Sequence, residues 1–422
     1  MSSTHRTGVF PTIGCILILI GTSIGAGMLA MPLASSIITF PTAMILLFCA
    51  WLVMSVTGLF MLEVVLKMPQ ERAHFSSMAK ATAGPIGQFV AWLSTICLFY
   101  SLMSAYTAGN SSLIQIGLSQ WFGWHLSSMI CAIGFILVVA LIVYNSMRGV
   151  DLWMRGLMSF KGAALLVMLL GLMPSIHLAP LWPDPAFGLS INSNESTLHT
   201  LKILLLATPI FLVGFGYHIV LPSFVHYIGP EPKRLRRIIW IGTTVSLVVY
   251  IIWLSVSYGV IPLNGPDGLI TLHNNGDHVD QFMLQFEHVL GAVWLKWAIT
   301  IFSNIAMTTS CLGVALGLFD FLADGLKRPN TKMGRLQTLL ITMLPPLVVA
   351  ILWPHFFLLG LSLAGLFLVI LEVLLPVWMW WGARHLPHLQ YPYTVRFGKT
   401  LAVFVLIVGV VFLAASLLAR FA

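Results

Sequence analysis

The chain has 422 residues, 59% of them hydrophobic and only 8% charged, with a mean hydropathy of +0.96. A soluble domain carries about 25% charged residues, so this composition excludes a soluble globule and describes a polytopic membrane protein built as one helix bundle. The formal net charge of +8 does not indicate a nucleic-acid partner, because membrane topology accounts for where the positive residues lie.

The N-terminal segment is short and polar, and the first apolar run lacks a cleavage site, so no signal peptide is expected and the first helix should remain as an anchor. A span needs about 20 apolar residues. The chain then reads as eleven transmembrane helices near 12–38, 41–66, 86–113, 126–146, 152–176, 198–226, 238–262, 290–319, 336–353, 356–381 and 400–420. The stretch from Ala73 to Ala83 is too short to span and is expected along the membrane surface.

The first span contains Gly21-Thr22-Ser23-Ile24-Gly25-Ala26-Gly27-Met28 at mid-depth, followed by Pro32. Glycine weakens a helix by about 0.5–1 kcal/mol relative to alanine, so the helix should open here. An opened helix inside a bundle offers N–H groups to a carboxylate and C=O groups to an ammonium, which suits a zwitterion. The rival reading of these glycines is a small-residue packing face. A nucleotide-binding loop is excluded, since no strand precedes them.

Lysine and arginine placement sets orientation. With the N-terminus inside, 17 of the 21 Lys and Arg residues fall on the inner side: Arg6, Lys67, Arg72, Lys80, Arg148, Arg155, Lys233, Arg234, Arg236, Arg237, Lys327, Arg328, Lys332, Arg335, Arg384, Arg396 and Lys399. Lys202, Lys296 and Arg420 fall outside, and the outer loop at 263–289 carries Asp267, Asp277, Asp280 and Glu287 without a cation. The expectation is N-in, C-out.

Span six repeats the pattern of span one. It reads Thr208-Pro209-Ile210-Phe211-Leu212-Val213-Gly214-Phe215-Gly216-Tyr217-His218. The two interrupted spans are an odd number of crossings apart, so they run in opposite senses. Paired broken helices in two inverted halves are the strongest sequence pointer to a transporter site.

Gly21–Pro32, Phe215-Gly216-Tyr217-His218, Leu312-Gly313-Val314-Ala315-Leu316-Gly317-Leu318-Phe319-Asp320, Gly334-Arg335-Leu336-Gln337-Thr338 and Leu344-Pro345-Pro346 together resemble the hydroxy/aromatic amino acid permease family. The similarity is closest to its tyrosine and tryptophan permeases and covers nearly the whole chain. It implies an all-α, LeuT-like fold of eleven helices: a first repeat at 12–176, an inverted repeat at 198–381, and an extra helix at 400–420. It also implies proton-coupled import of an aromatic amino acid, tyrosine ahead of tryptophan, across a bacterial cytoplasmic membrane. Proton coupling and the amino acid come from the resemblance, not from periodicity or charge.

The candidate substrate-binding residues are Thr22, Ser23, Ile24, Gly25, Ala26 and Gly27, with Gly214, Phe215, Gly216, Tyr217 and His218, and with Tyr106, Asn110 and Thr308 closing the pocket. The Thr22–Gly27 backbone is expected to hold the α-amino and α-carboxyl groups. An aromatic side chain would stack on Phe215 or Tyr217, and His218 would hydrogen-bond it or titrate. Packed aromatics and a satisfied core histidine are the alternative reading.

Ion coupling is expected at Lys161, His218 or Glu372. Lys161 lies about 14 Å into span five at 1.5 Å per residue, where snorkelling to the interface is strained. The resemblance implies that its ammonium stands where sodium-coupled relatives hold a sodium ion. The polar run Ser303, Asn304, Thr308, Thr309 and Ser310 on span eight keeps sodium coupling as a rival. Glu63 near the inner end of span two is read as structural, and Asp320 and Asp324 as a solvated charge cluster.

No cofactor or metal is expected. Cys15, Cys49, Cys97, Cys131 and Cys311 are not spaced as ligands and read as packing residues. The partners are a small amino acid and the bilayer. A membrane enzyme would need a His-Glu-x-x-His or a similar constellation, and a channel a filter or charged pore repeat; neither motif occurs. The sequon Asn194-Glu195-Ser196 is read as chance.

Overall fold

The computed structural model describes residues 9–36, 38–68, 75–145, 147–177, 181, 197–262, 265, 268–274, 279–290, 293–327, 331–384 and 393–421. Several sequence expectations lie outside these residues: Arg6, Arg72, Asp267, Asp277, Arg328 and the Asn194 sequon. The side chains of Arg148, Arg155, Lys202, Glu287, Lys296 and Arg420 lie outside them too.

Among the described residues all regular structure is helical. Helix α1 (Val9–Ser23) and α2 (Ala26–Ala34) are bent by 44° at Ile24–Gly25. Helix α3 spans Phe40–Lys67, α4 Phe75–Phe122, α5 Ser128–Asn145 and α6 Met147–Leu172. Helix α7 (Thr197–Val213) is followed by a turn, a single tight turn at His218–Val220, and α8 (Leu221–Ile228). The long α9 (Pro232–Val260) comes next, then the short α10 (Leu269–Asn274) and α11 (Val279–Leu290). Helices α12 (Val293–Gly325) and α13 (Lys332–Leu352) precede a last long unit of α14 (Phe356–Leu368), a π-helical turn (Val369–Leu374) and α15 (Leu375–Ala383). Helix α16 (Gly398–Phe421) ends the described chain.

Eight of these helical stretches are long and apolar enough to cross a membrane, nine with the bent α1–α2 pair, while α5 and α16 contribute shorter apolar helices. The chain is a multi-pass membrane protein. The central piece is α2. Residues Ala26 to Leu33 are all buried, and a short helix that is apolar all round belongs in the middle of a bundle. It packs against α7, α9, α11, α12 and α14.

One sequence boundary is corrected, that of span three. The segment expected along the membrane surface, Ala73 to Ala83, is described from Phe75 onward as a helix, the first part of α4, set off from the next span by a kink at Gly84, where φ is 73° and ψ is −169°. Pro85 bars the preceding residue from the helical region, and glycine alone takes this positive φ without strain. A Cβ on Gly382 would collide with Thr82 O, so this first part docks directly on α15. Span three, expected to stop near 113, runs on to Phe122. Gln115 and Gln120 lower the local hydropathy without breaking the helix, which ends where Gly123 supplies a φ of 69°.

Glu63 has a structural role. One carboxylate oxygen accepts from Lys67 Nζ at 2.8 Å, and the other from Trp380 Nε1 at 2.7 Å and Val395 N at 2.8 Å. These bonds tie α3 to α15 and to the segment entering α16. The carboxylate is buried and fully engaged, which is how a charge survives in a dry interior.

Candidate functional site

The first break separates two poles. The carbonyls at the end of α1 have no onward helical partner, and Lys161 on α6 meets them: Nζ donates to Ile24 O at 2.6 Å and to Gly21 O at 3.2 Å. Lys161 is only 4% exposed. Its side chain therefore turns into the bundle rather than snorkelling, and an ammonium at a helix C-terminus is favoured by the dipole. On the other side the first N–H groups of α2 have no acceptor from a preceding helical turn, and Met28 N turns to Gly25 O at 3.1 Å. Ala26 N meets Ser310 Oγ from α12 at 3.4 Å. The same Oγ would stand 2.5 Å from a Cβ on Gly25, so any larger residue there must displace the Ser310 side chain. The two hydroxyls of the break differ. Thr22 is exposed and donates to Leu19 O at 2.8 Å, whereas Ser23 is buried and its Oγ has no hydrogen-bond partner in the protein.

The second break abuts the first. A Cβ on Gly27 would rest 3.5 Å from both Cα and N of Gly214, so the two interrupted backbones run side by side. Tyr250 on α9 joins them: its hydroxyl lies 2.6 Å from Ser23 O and 2.7 Å from Gly214 O. Phe215 is buried with its ring edge-on to Tyr250 at 5.2 Å. Tyr217 is buried in the space that Gly58 leaves open, and its hydroxyl donates to Met54 O at 3.1 Å. His218 is fully buried, with Nε2 2.9 Å from Thr57 Oγ1 and Nδ1 2.8 Å from Glu372 Oε2. Glu372 projects from the π-helical turn, a local form that recurs at functional sites.

Of the pocket-closing candidates, Asn110 on α4 donates from Nδ2 to Thr308 Oγ1 at 2.9 Å, and its buried Oδ1 has no partner in the protein. Tyr106 is buried one turn earlier and lies near Tyr250 and Cys311. The structure thus gathers α1–α2, α4, α6, α9 and α12 around one break. It also divides the span-eight hydroxyls. Thr308 and Ser310 face this region. Thr309 donates back to Ile305 O at 2.9 Å, Asn304 to Thr300 O at 2.9 Å, and Ser303 to Met283 Sδ at 3.2 Å.

Sequence reasoning missed Tyr250, Trp253, Tyr258, Thr57 and Gly58. Trp253 Nε1 donates to Met28 O at 2.8 Å, and the Tyr258 hydroxyl bonds Ser35 O. Helix α9 therefore supplies the donors that the carbonyls of the broken helices lack. The signal was present: Thr243, Ser246, Tyr250, Trp253 and Ser257 recur at spacings of three and four, one helical face, and all five are buried. Tyr250→Phe leaves two buried carbonyls without their donor, which costs about 1–3 kcal/mol. Thermal unfolding in detergent should show a Tm lower by a few degrees. An unchanged Tm would remove the bridging role.

Residues 11–416 match the tryptophan/tyrosine permease family. The chain is 32% identical over 371 residues to a tryptophan-specific transport protein of Pseudomonas aeruginosa, covering 87% of this chain and 85% of the relative. It is 32% identical over 404 residues to tyrosine-specific transport system 2 of Haemophilus influenzae, covering 95% and 94%. A low affinity tryptophan permease of Escherichia coli is 28% identical over 400 residues, covering 94% and 92%. These relatives are permeases and transport proteins, not enzymes. With this match along almost its entire length, the chain belongs to the tryptophan/tyrosine permease family.

Proposed function

We propose that the chain is a secondary transporter importing an aromatic amino acid, tyrosine ahead of tryptophan, together with a proton across a bacterial cytoplasmic membrane. The observation that carries this reading is the pairing of two interrupted helices at one point, Gly27 against Gly214. The N-terminal N–H groups of α2 suit the α-carboxylate, and Ser23 Oγ suits either charged end of the zwitterion. Phe215, Tyr217 and Tyr106 suit the substrate ring. Of two relatives at 32% identity, one is named tryptophan-specific and the other tyrosine-specific.

In this scheme α1–α2, α7–α8 and α14–α15 are single spans and the short α10 and α11 do not cross, which leaves eleven crossings, N-in and C-out, with the first five and the next five as inverted LeuT-like repeats. Lys161 carries the coupling proton in this scheme. Its ammonium braces α6 against the broken first helix, and its neutral form lets go. Sodium coupling through Thr308 and Ser310, the second reading, rests on their placement beside Gly25 and Asn110.

Counterflow in proteoliposomes with twenty amino acids tests the substrate class. Tyrosine and tryptophan should exchange saturably, and serine and threonine should not compete. Serine or threonine exchanging at the same rate would overturn the aromatic assignment.

A further inference from the structure

His218 and Glu372 lie on segments 154 residues apart, yet Nδ1 and Oε2 are within 2.8 Å, and the two residues are 0% and 3% exposed. The carboxylate also stands 3.6 Å from the point where a Cβ on Gly216 would be. No side chain therefore separates Glu372 from the backbone of the second break. On its far side the imidazole meets Thr57, whose hydroxyl is 3.1 Å from Met54 O, the carbonyl that also accepts from Tyr217. Three elements converge on one buried pair: α3, the turn after the second break, and the π-helical turn.

One proton beyond those of a neutral imidazole and an ionised carboxylate makes this pair electrically neutral. Without it the pair carries a bare negative charge in a dry interior, which is costly. Among the described residues, the titratable side chain packed on the pair is Tyr217, whose ring is 4.7 Å from that of His218 and whose hydroxyl is committed to Met54 O. Helix α14 has no ionisable residue, and α16 has only Lys399 and Arg420, at its ends. On α3 the nearest charge is Glu63, six residues on and already bound by Lys67, Trp380 and Val395. Lys161 belongs to the other break, on Gly21 and Ile24.

We infer that His218 and Glu372 form a second proton-binding site, separate from Lys161, which takes a proton from the outer solution with the substrate and releases it inside. The inference rests on the proposed symport. The break that receives the substrate's side chain and the turn that carries Glu372 share a wall at Gly216. Closing that wall over a substrate removes water from the pair and retains its proton; opening it inward readmits water and lets the proton go. Two protons per zwitterion would then cross.

The test is the reversal point in sodium-free proteoliposomes with the membrane potential clamped at zero. Each proton carried supports about a tenfold substrate gradient per pH unit. The wild-type protein should balance at about a hundredfold per pH unit, and Glu372→Gln and His218→Gln at about tenfold. A wild-type balance near tenfold overturns the second site, and this arm needs no variant to fold. So does a hundredfold balance retained in Glu372→Gln. A wild-type balance indifferent to pH would instead overturn the proton symport itself.

Discussion

Gly25→Val should abolish high-affinity substrate binding while the protein still inserts. The added side chain begins 2.5 Å from Ser310 Oγ, so Ser310 must move and release Ala26 N. The valine also covers the N-terminal N–H groups of α2. Losing two hydrogen bonds to a carboxylate, each worth about 1.5 kcal/mol or more, weakens binding about a hundredfold. Gly27→Ala is the matched comparison. Its methyl would sit 3.5 Å from Gly214, an ordinary contact, so the loss should be at most a few-fold. Scintillation proximity binding of radiolabelled tyrosine separates the two. Equal affinity in Gly25→Val and wild type would remove the first break from the site.

Lys161→Ala should lose coupling. The side chain is the donor for Ile24 O and Gly21 O, so its removal takes that donor from both carbonyls and, in the proposed scheme, removes the switch. Substrate accumulation driven by one pH unit should fall at least tenfold, the worth of one proton. Counterflow exchange, which needs no net proton movement, should fall less. Lys161→Arg should fail in the same assay, because arginine stays charged throughout the cycle. If Lys161→Ala concentrates substrate as well as wild type when driven by pH alone, Lys161 is a brace and not a carrier. If wild-type accumulation requires sodium and ignores pH, Thr308 and Ser310 become the ion site.

The two breaks were legible because their signal is local: glycines clustered inside an apolar run have few other uses. Lys161 stood out for the same reason, a lone cation deep in a span. Its partners were not legible, since they are backbone carbonyls 137 and 140 residues away. The pairing of His218 with Glu372 was hidden likewise; each was a separate candidate, and only packing joins them. The bridging face of α9 escaped because tyrosine and tryptophan score as apolar while their polar tips do the bonding. Gly58 gave no warning, being one glycine in a long helix, yet a Cβ there would overlap the Tyr217 hydroxyl. The run from 113 to 122 misled in the opposite direction. Hydropathy measures affinity for lipid, and helix continuity depends on backbone bonds that glutamine does not interrupt.

The most direct measurement is an experimental structure of the protein with tyrosine bound, in lipid nanodiscs. The α-carboxylate should lie within hydrogen-bond distance of N–H groups at Gly25–Gly27, and the ring should lie against Phe215, Tyr217 or Tyr106, with both helices open at Gly25 and Gly216. Tyrosine bound elsewhere, or either helix running unbroken past its glycines, would contradict the placement of the site.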